Sequence, residues 1–120
     1  MKKVTVLAAA IFFVALASLV SAQTVVQSDR WSTKAGDSGY NLDTNTGERT
    51  MTIEVNFKNS FEVKPDVILS VAQIDGDKAA NQRYNVEVMS VSRDGFTIKI
   101  RTWADSKIFS LSGYWLAHAE

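Results

Sequence analysis

Met51-Thr52-Ile53-Glu54-Val55-Asn56-Phe57 alternates apolar and polar residues. A period of two puts the apolar side chains on one face of an extended chain, so the segment reads as a strand with one side buried and the other in water. Phe96, Ile98 and Ile100, interleaved with Thr97, Lys99 and Arg101, repeat the pattern. Ahead of them, Arg93-Asp94-Gly95 carries the aspartate–glycine pair that hairpin turns favour. Tyr84, Val86 and Val88 alternate too, and Met89 with Val91 moves the apolar phase to the other face, as a bulge would require.

Further strands flank these. After Asn59-Ser60 and the break at Lys64-Pro65, Val67-Ile68-Leu69-Ser70-Val71-Ala72 is apolar on both faces and predicts a central strand. A last strand spans about Lys107 to Ala117, with Phe109, Leu111, Tyr114, Trp115 and Leu116, and an early one lies near Val25–Thr33. No stretch has good helical periodicity. The class is all-β, an antiparallel β-sandwich of about six strands.

The start of the chain has a different character. Met1-Lys2-Lys3 is a short positive start, Val4 to Val20 is almost wholly apolar, and Val20-Ser21-Ala22 offers small residues where a signal peptidase cuts. Residues 1–22 therefore read as a signal peptide and 23–120 as one secreted, extracellular domain. An uncleaved membrane anchor is the rival reading, because the run approaches spanning length. Without Lys2 and Lys3 the mature chain has 11 basic against 13 acidic residues, a net charge of −2. Nucleic-acid binders normally present a basic face, so this balance argues against one. There is no cysteine, so the core holds without disulfides.

Strand parity places the loops. In an antiparallel sandwich with simple connections, successive turns alternate between its two ends. Counting from the strand after Pro65, the 75–83 loop, the Ala104–Lys107 turn and the 41–49 loop fall at one end, and the Arg93–Gly95 hairpin falls at the other. Arg83, Trp103 to Lys107 and the 41–49 loop should therefore share that end. The region from Lys34 to Arg49 is rich in turn formers and long for so small a domain, which marks either a functional loop or a mobile connector. Ile98 and Ile100 put Thr102 on the inward phase and Trp103 on the outward one. An outward tryptophan at a strand end needs a ligand, a loop or a partner subunit to cover it, unless a bulge turns it inward. An indole beside fixed donors and acceptors suits a sugar, whose C–H face takes the ring and whose hydroxyls take the polar groups. The alternatives are that Arg83 is an ordinary surface arginine or half of a trimer salt bridge, that Phe109 is a core ring, which its strand position favours equally, and that Asp105 is a turn former.

Catalysis finds little support. The single histidine, His118, reads as an exposed terminal residue, and there is no Gly-x-Ser-x-Gly elbow. With one histidine and no cysteine no ordinary zinc site is available, and Asp75-Gly76-Asp77 lacks the further oxygen ligands of a calcium loop. Asp43, Asp75, Asp77 and Asp105 lie in loops, but glycoside hydrolysis between two carboxylates needs a cleft that so small a domain has little volume for. Neither a metal nor a cofactor is expected.

Lys64-Pro65-Asp66-Val67-Ile68-Leu69-Ser70-Val71-Ala72-Gln73-Ile74-Asp75, Asn81-Gln82-Arg83, Ser90-Val91-Ser92 with Gly95-Phe96, Thr102-Trp103, Lys107-Ile108-Phe109-Ser110 and Trp115 together resemble the H-type lectin domain over about residues 49–117. The resemblance implies a six-stranded sandwich assembled as a homotrimer, with sites between neighbouring subunits for galactose-type sugars, notably N-acetylgalactosamine. It places Arg83 on the arginine that donates to the sugar and Trp103 on the tryptophan that lines the site. Phe109 falls where a tyrosine is common and Ala104 where some members carry a histidine. A gap-free alignment puts Thr46 at the family's acidic ligand position, and Asp43 or Glu48 would take that place only with a shift of register. The implied function is that of a secreted, multivalent lectin. The competing readings are a trimeric structural or adhesion module that no longer binds sugar and, less favoured, a small carbohydrate-active enzyme.

Overall fold

The computed structural model describes residues 23–120; the expected signal peptide, 1–22, lies outside the described residues. Six strands follow in order: β1 (Val25–Lys34), β2 (Arg49–Asn56), β3 (Asp66–Gly76), β4 (Tyr84–Met89), β5 (Gly95–Thr102) and β6 (Ile108–Ala119). All pairings are antiparallel, in two three-stranded sheets ordered β1-β6-β3 and β2-β5-β4. The inward residues of the alternating strands fill the space between the sheets: Met51 from β2, Phe96, Ile98 and Ile100 from β5, Leu111 and Trp115 from β6 and Trp31 from β1. This is the expected all-β antiparallel sandwich.

Three local expectations are corrected. Residues 67–72 do not form a central strand: β6 is the middle strand of its sheet and β3 lies at the edge. The second apolar face of β3 is exposed, with Ile68 at 60%. A run apolar on both faces arises either from burial between two layers or from one face left for something outside the subunit, and sequence does not separate the two. The phase shift at Met89 and Val91 is not a bulge, because β4 ends at Met89 and Ser90 adopts φ +54°. The register shifts lie instead between β3 and β6, where Ala72 and Phe109 are left without partners. His118 is not a terminal straggler, because it pairs with Val26 on one side and Asp66 on the other within the central strand.

Gly113 on β6 is required by close approach. A Cβ there would collide with the Ser70 carbonyl, to which the Trp31 indole N–H donates across the strand at 3.0 Å. Only the β4–β5 connection stays within one sheet; the others cross between sheets. Residues 35–48, 77–83 and 103–107 consequently gather at one end, and residues 57–65 and 90–94 at the other.

Candidate functional site

The gathered end is built on polar residues that occupy inward positions. Thr102 closes β5 on the inward phase of Ile98 and Ile100, fully buried, and its hydroxyl donates to the Arg83 carbonyl at 2.6 Å. After the turn through Trp103, Ala104 and Asp105, the buried Ser106 hydroxyl donates to the Asn81 carbonyl and accepts the Arg83 backbone N–H at 3.0 Å. Both main-chain groups of Arg83 are thus held by hydroxyls that flank the turn. Its guanidinium then reaches the Asp105 carboxylate at 2.7 Å. An ion pair this exposed adds little stability.

Trp103 faces outward. Thr102 takes the inward position, and Trp103 shares the outer face of β2-β5-β4 with Arg101, two residues earlier. The Arg101 guanidinium carbon lies 4.7 Å from the centre of the indole, a cation–π contact that braces the ring.

The 41–49 loop is tied to this turn. Leu42 is fully buried and its carbonyl accepts the Ile108 N–H at 3.0 Å. Gly47 N–H donates to the Ala104 carbonyl at 2.9 Å, and the Lys107 ammonium contacts the Asn45 carbonyl. Arg49, only 6% exposed, spans the gap between loop and turn. Thr46 is exposed between the two residues that contact the turn. Asp43 is half-buried near Tyr40, whose phenol donates to the Ile108 carbonyl at 2.5 Å. Burial first, then the charges of Asp43, Asp37 and Asp75, push the Tyr40 phenol well above its ordinary range.

Arg83, Trp103, Asp105 and the 41–49 loop are therefore brought to one end, as strand parity required. Phe109 is not brought to Trp103 within one protomer. It sits in the β6 irregularity at 40% exposure between the fully buried Ile108 and Leu111, outside the β1-β6-β3 sheet, whereas Trp103 lies outside the other sheet. Among the described residues no ring contact joins the two. Nor does a hydrogen bond or ion pair link Asp43 or Thr46 to Arg83 there. Sequence reasoning passed over Arg49, Arg101 and Ser106. For Arg49 the signal was present: it lies on the inward phase of Met51 and Val55, where a charge needs buried partners.

The family model of the H-type lectin domain matches residues 52–118. The chain belongs to the H-type lectin domain family. One of the discoidin-1 polypeptides of Dictyostelium discoideum is 34% identical over 79 residues, which cover 65% of this chain and 31% of the relative. The ATP synthase subunits region ORF 7 protein of Fuscovulum blasticum is 29% identical over 79 residues, 66% of this chain and 69% of the relative. Among solved structures, wild-type discoidin II of Dictyostelium discoideum superposes with a TM-score of 0.72 at 23% identity, over 82% of this chain and 37% of the other, a likeness of fold. The chain spans about a third of the length of the discoidins it matches. Membership in a lectin family points to carbohydrate binding and away from catalysis, and among the described residues no cluster of three or more metal-ligating side chains occurs.

Proposed function

We propose that this H-type lectin domain is exported and binds galactose- or N-acetylgalactosamine-type glycans, at sites shared between neighbouring subunits of a homotrimer. The observation that carries the reading is the outward Trp103 beside the Arg83–Asp105 pair, on a turn whose backbone is fixed from below. The indole offers an apolar plane to the C–H face of a pyranose. The guanidinium and the carboxylate offer a donor and an acceptor to adjacent hydroxyls. No metal is needed for such binding.

The trimer draws support from the outer face of β1-β6-β3. Ile68 lies in register with Leu116 across the β3–β6 ladder, and Tyr114, 52% exposed, stands two residues before Leu116 with the Arg30 guanidinium 5.7 Å from its ring. An apolar sheet face of this kind suits a second copy of the chain. Phe109 on that side and Trp103 on the other are opposed within one protomer, so a site using both needs two protomers. Linked weak sites then gain strength on glycan-covered surfaces.

The test is a glycan array with wild type and Trp103→Ala, alongside light scattering. The variant is expected to lose glycan binding and remain trimeric. Equal binding by both would sink the site, and a monomeric wild type would sink the shared geometry. A second reading, a trimeric structural or adhesion module without sugar binding, is favoured by one observation: Arg83 already has Asp105 as its partner. A folded trimer that binds no glycan would establish it.

A further inference from the structure

Arg49 opens β2 at an inward position directly across from Thr102. Its guanidinium is buried and donates only to main-chain carbonyls. Nε donates to Gly47 at 3.0 Å, Nη2 to Ala104 at 3.0 Å, and Nη1 to Ser106 at 2.8 Å, Thr44 at 2.9 Å and, more weakly, Leu42 at 3.5 Å. Among the described residues no carboxylate pairs with it. A buried charge without a counter-ion is retained at a cost in desolvation, which here is offset by a set of carbonyl dipoles.

Those carbonyls belong to two segments: Leu42, Thr44 and Gly47 to the loop, Ala104 and Ser106 to the turn. Ala104 holds a left-handed backbone at φ +56°, which is uncommon for a residue with a Cβ and persists only where its surroundings enforce it. Its carbonyl is gripped twice, by Arg49 and by the Gly47 N–H. Trp103 and Asp105 are its neighbours on either side.

We propose that Arg49 is the positioning residue of the sugar site. It touches no ligand. Its planar fork sets the height and orientation of the Trp103–Asp105 turn by binding that turn to the 42–47 loop, so that indole and carboxylate meet a sugar together. The proposal rests on the lectin reading for what the turn presents, but not for how the turn is held. Lysine would keep the charge but offer three donors from one point in place of the fork, and methionine would keep much of the volume and no donor.

The test compares wild type, Arg49→Lys and Arg49→Met as full chains. Calorimetric titration with N-acetylgalactosamine is combined with light scattering and amide hydrogen exchange. Folded, trimeric variants are expected to lose about tenfold or more in affinity, Arg49→Met more than Arg49→Lys. Exchange should rise at Gly47 and Ser106 and stay at the wild-type rate at Phe57 and Phe61, whose N–H groups bond at the far end. Wild-type affinity in either variant would overturn the proposal, as would exchange raised evenly over the domain. Failure of both variants to fold would also overturn it, making Arg49 a determinant of the fold and not of the site. If wild type itself binds no sugar, the lectin reading falls separately. The sugar role of Arg49 falls with it, and the exchange pattern then decides only how the turn is held: a local rise sustains the hold of Arg49 on the turn and an unchanged rate refutes it.

Discussion

At one end of the sandwich Phe57, Phe61, Phe96 and Trp115 close the core ring against ring, with centroids between 4.9 and 5.8 Å apart. At the other end Arg49, Thr102 and Ser106, equally removed from water, close it through hydrogen bonds to main-chain groups. Dispersion and apolar burial reward filled volume with little regard to direction, so the aromatic end can supply stability while tolerating small shifts. A hydrogen bond rewards angle and distance, so the polar end supplies geometry. The candidate site lies over the second kind of closure, where displacement of the turn is resisted.

The contrast is most open to breakage at the aromatic end. Phe96→Ala should cost about 3–5 kcal/mol in urea unfolding while leaving the sugar affinity of the folded fraction at the wild-type value. A matching fall in affinity would mean that the two ends are not separable. Ser106→Ala should cost less, about 1–3 kcal/mol, because it strips partners from the Asn81 carbonyl and the Arg83 N–H. Its affinity should nevertheless fall, and unchanged titration curves would count against a geometric role for the polar frame.

Tyr40→Phe is smaller again, about 1 kcal/mol near neutral pH for the lost bond to the Ile108 carbonyl. It also has a signature in pH. The folded phenol holds its proton above the ordinary value of 10.0, so this stabilisation is complete below pH 10 and is lost as pH rises beyond it. Wild type should therefore lose stability above pH 10 more steeply than Tyr40→Phe, and parallel curves would remove Tyr40 from the account. Trp103→Ala should have the least effect on stability, within about 0.5 kcal/mol, since the ring lies outside the core. A large loss of stability there would show that the indole holds the fold and is not reserved for a ligand.

Much of this was legible in the chain. Alternation in 51–57 and 96–101 set the inward and outward faces, and strand parity alone brought Arg83, the 103–107 turn and the 41–49 loop to one end. The edge position of β3 was not legible, because Ile68 reads the same whether a second layer or another protomer is to cover it. The separation of Phe109 from Trp103 was not legible either. It depends on a residue of β6 that the ladder with β3 skips, and a one-residue shift of register changes the face on which a side chain emerges. Ser106 gave no signal, since a serine in a turn is ordinary until its hydroxyl is found between two backbone groups.

The sequence by itself determined the class of fold, the faces of the alternating segments 51–57 and 96–101 and the ends to which the 41–49, 75–83, 93–95 and 104–107 connections belong. These follow from local periodicity and chain direction, which need no partner across space. Only the tertiary structure decided which strands lie at the edges, that Arg49 binds two distant segments through their carbonyls, and that Arg83 meets Asp105. The contacts of Arg49 with the turn and of Arg83 with Asp105 join residues 22 to 57 positions apart, and main-chain acceptors carry no mark of their role in the identity of the residue that bears them.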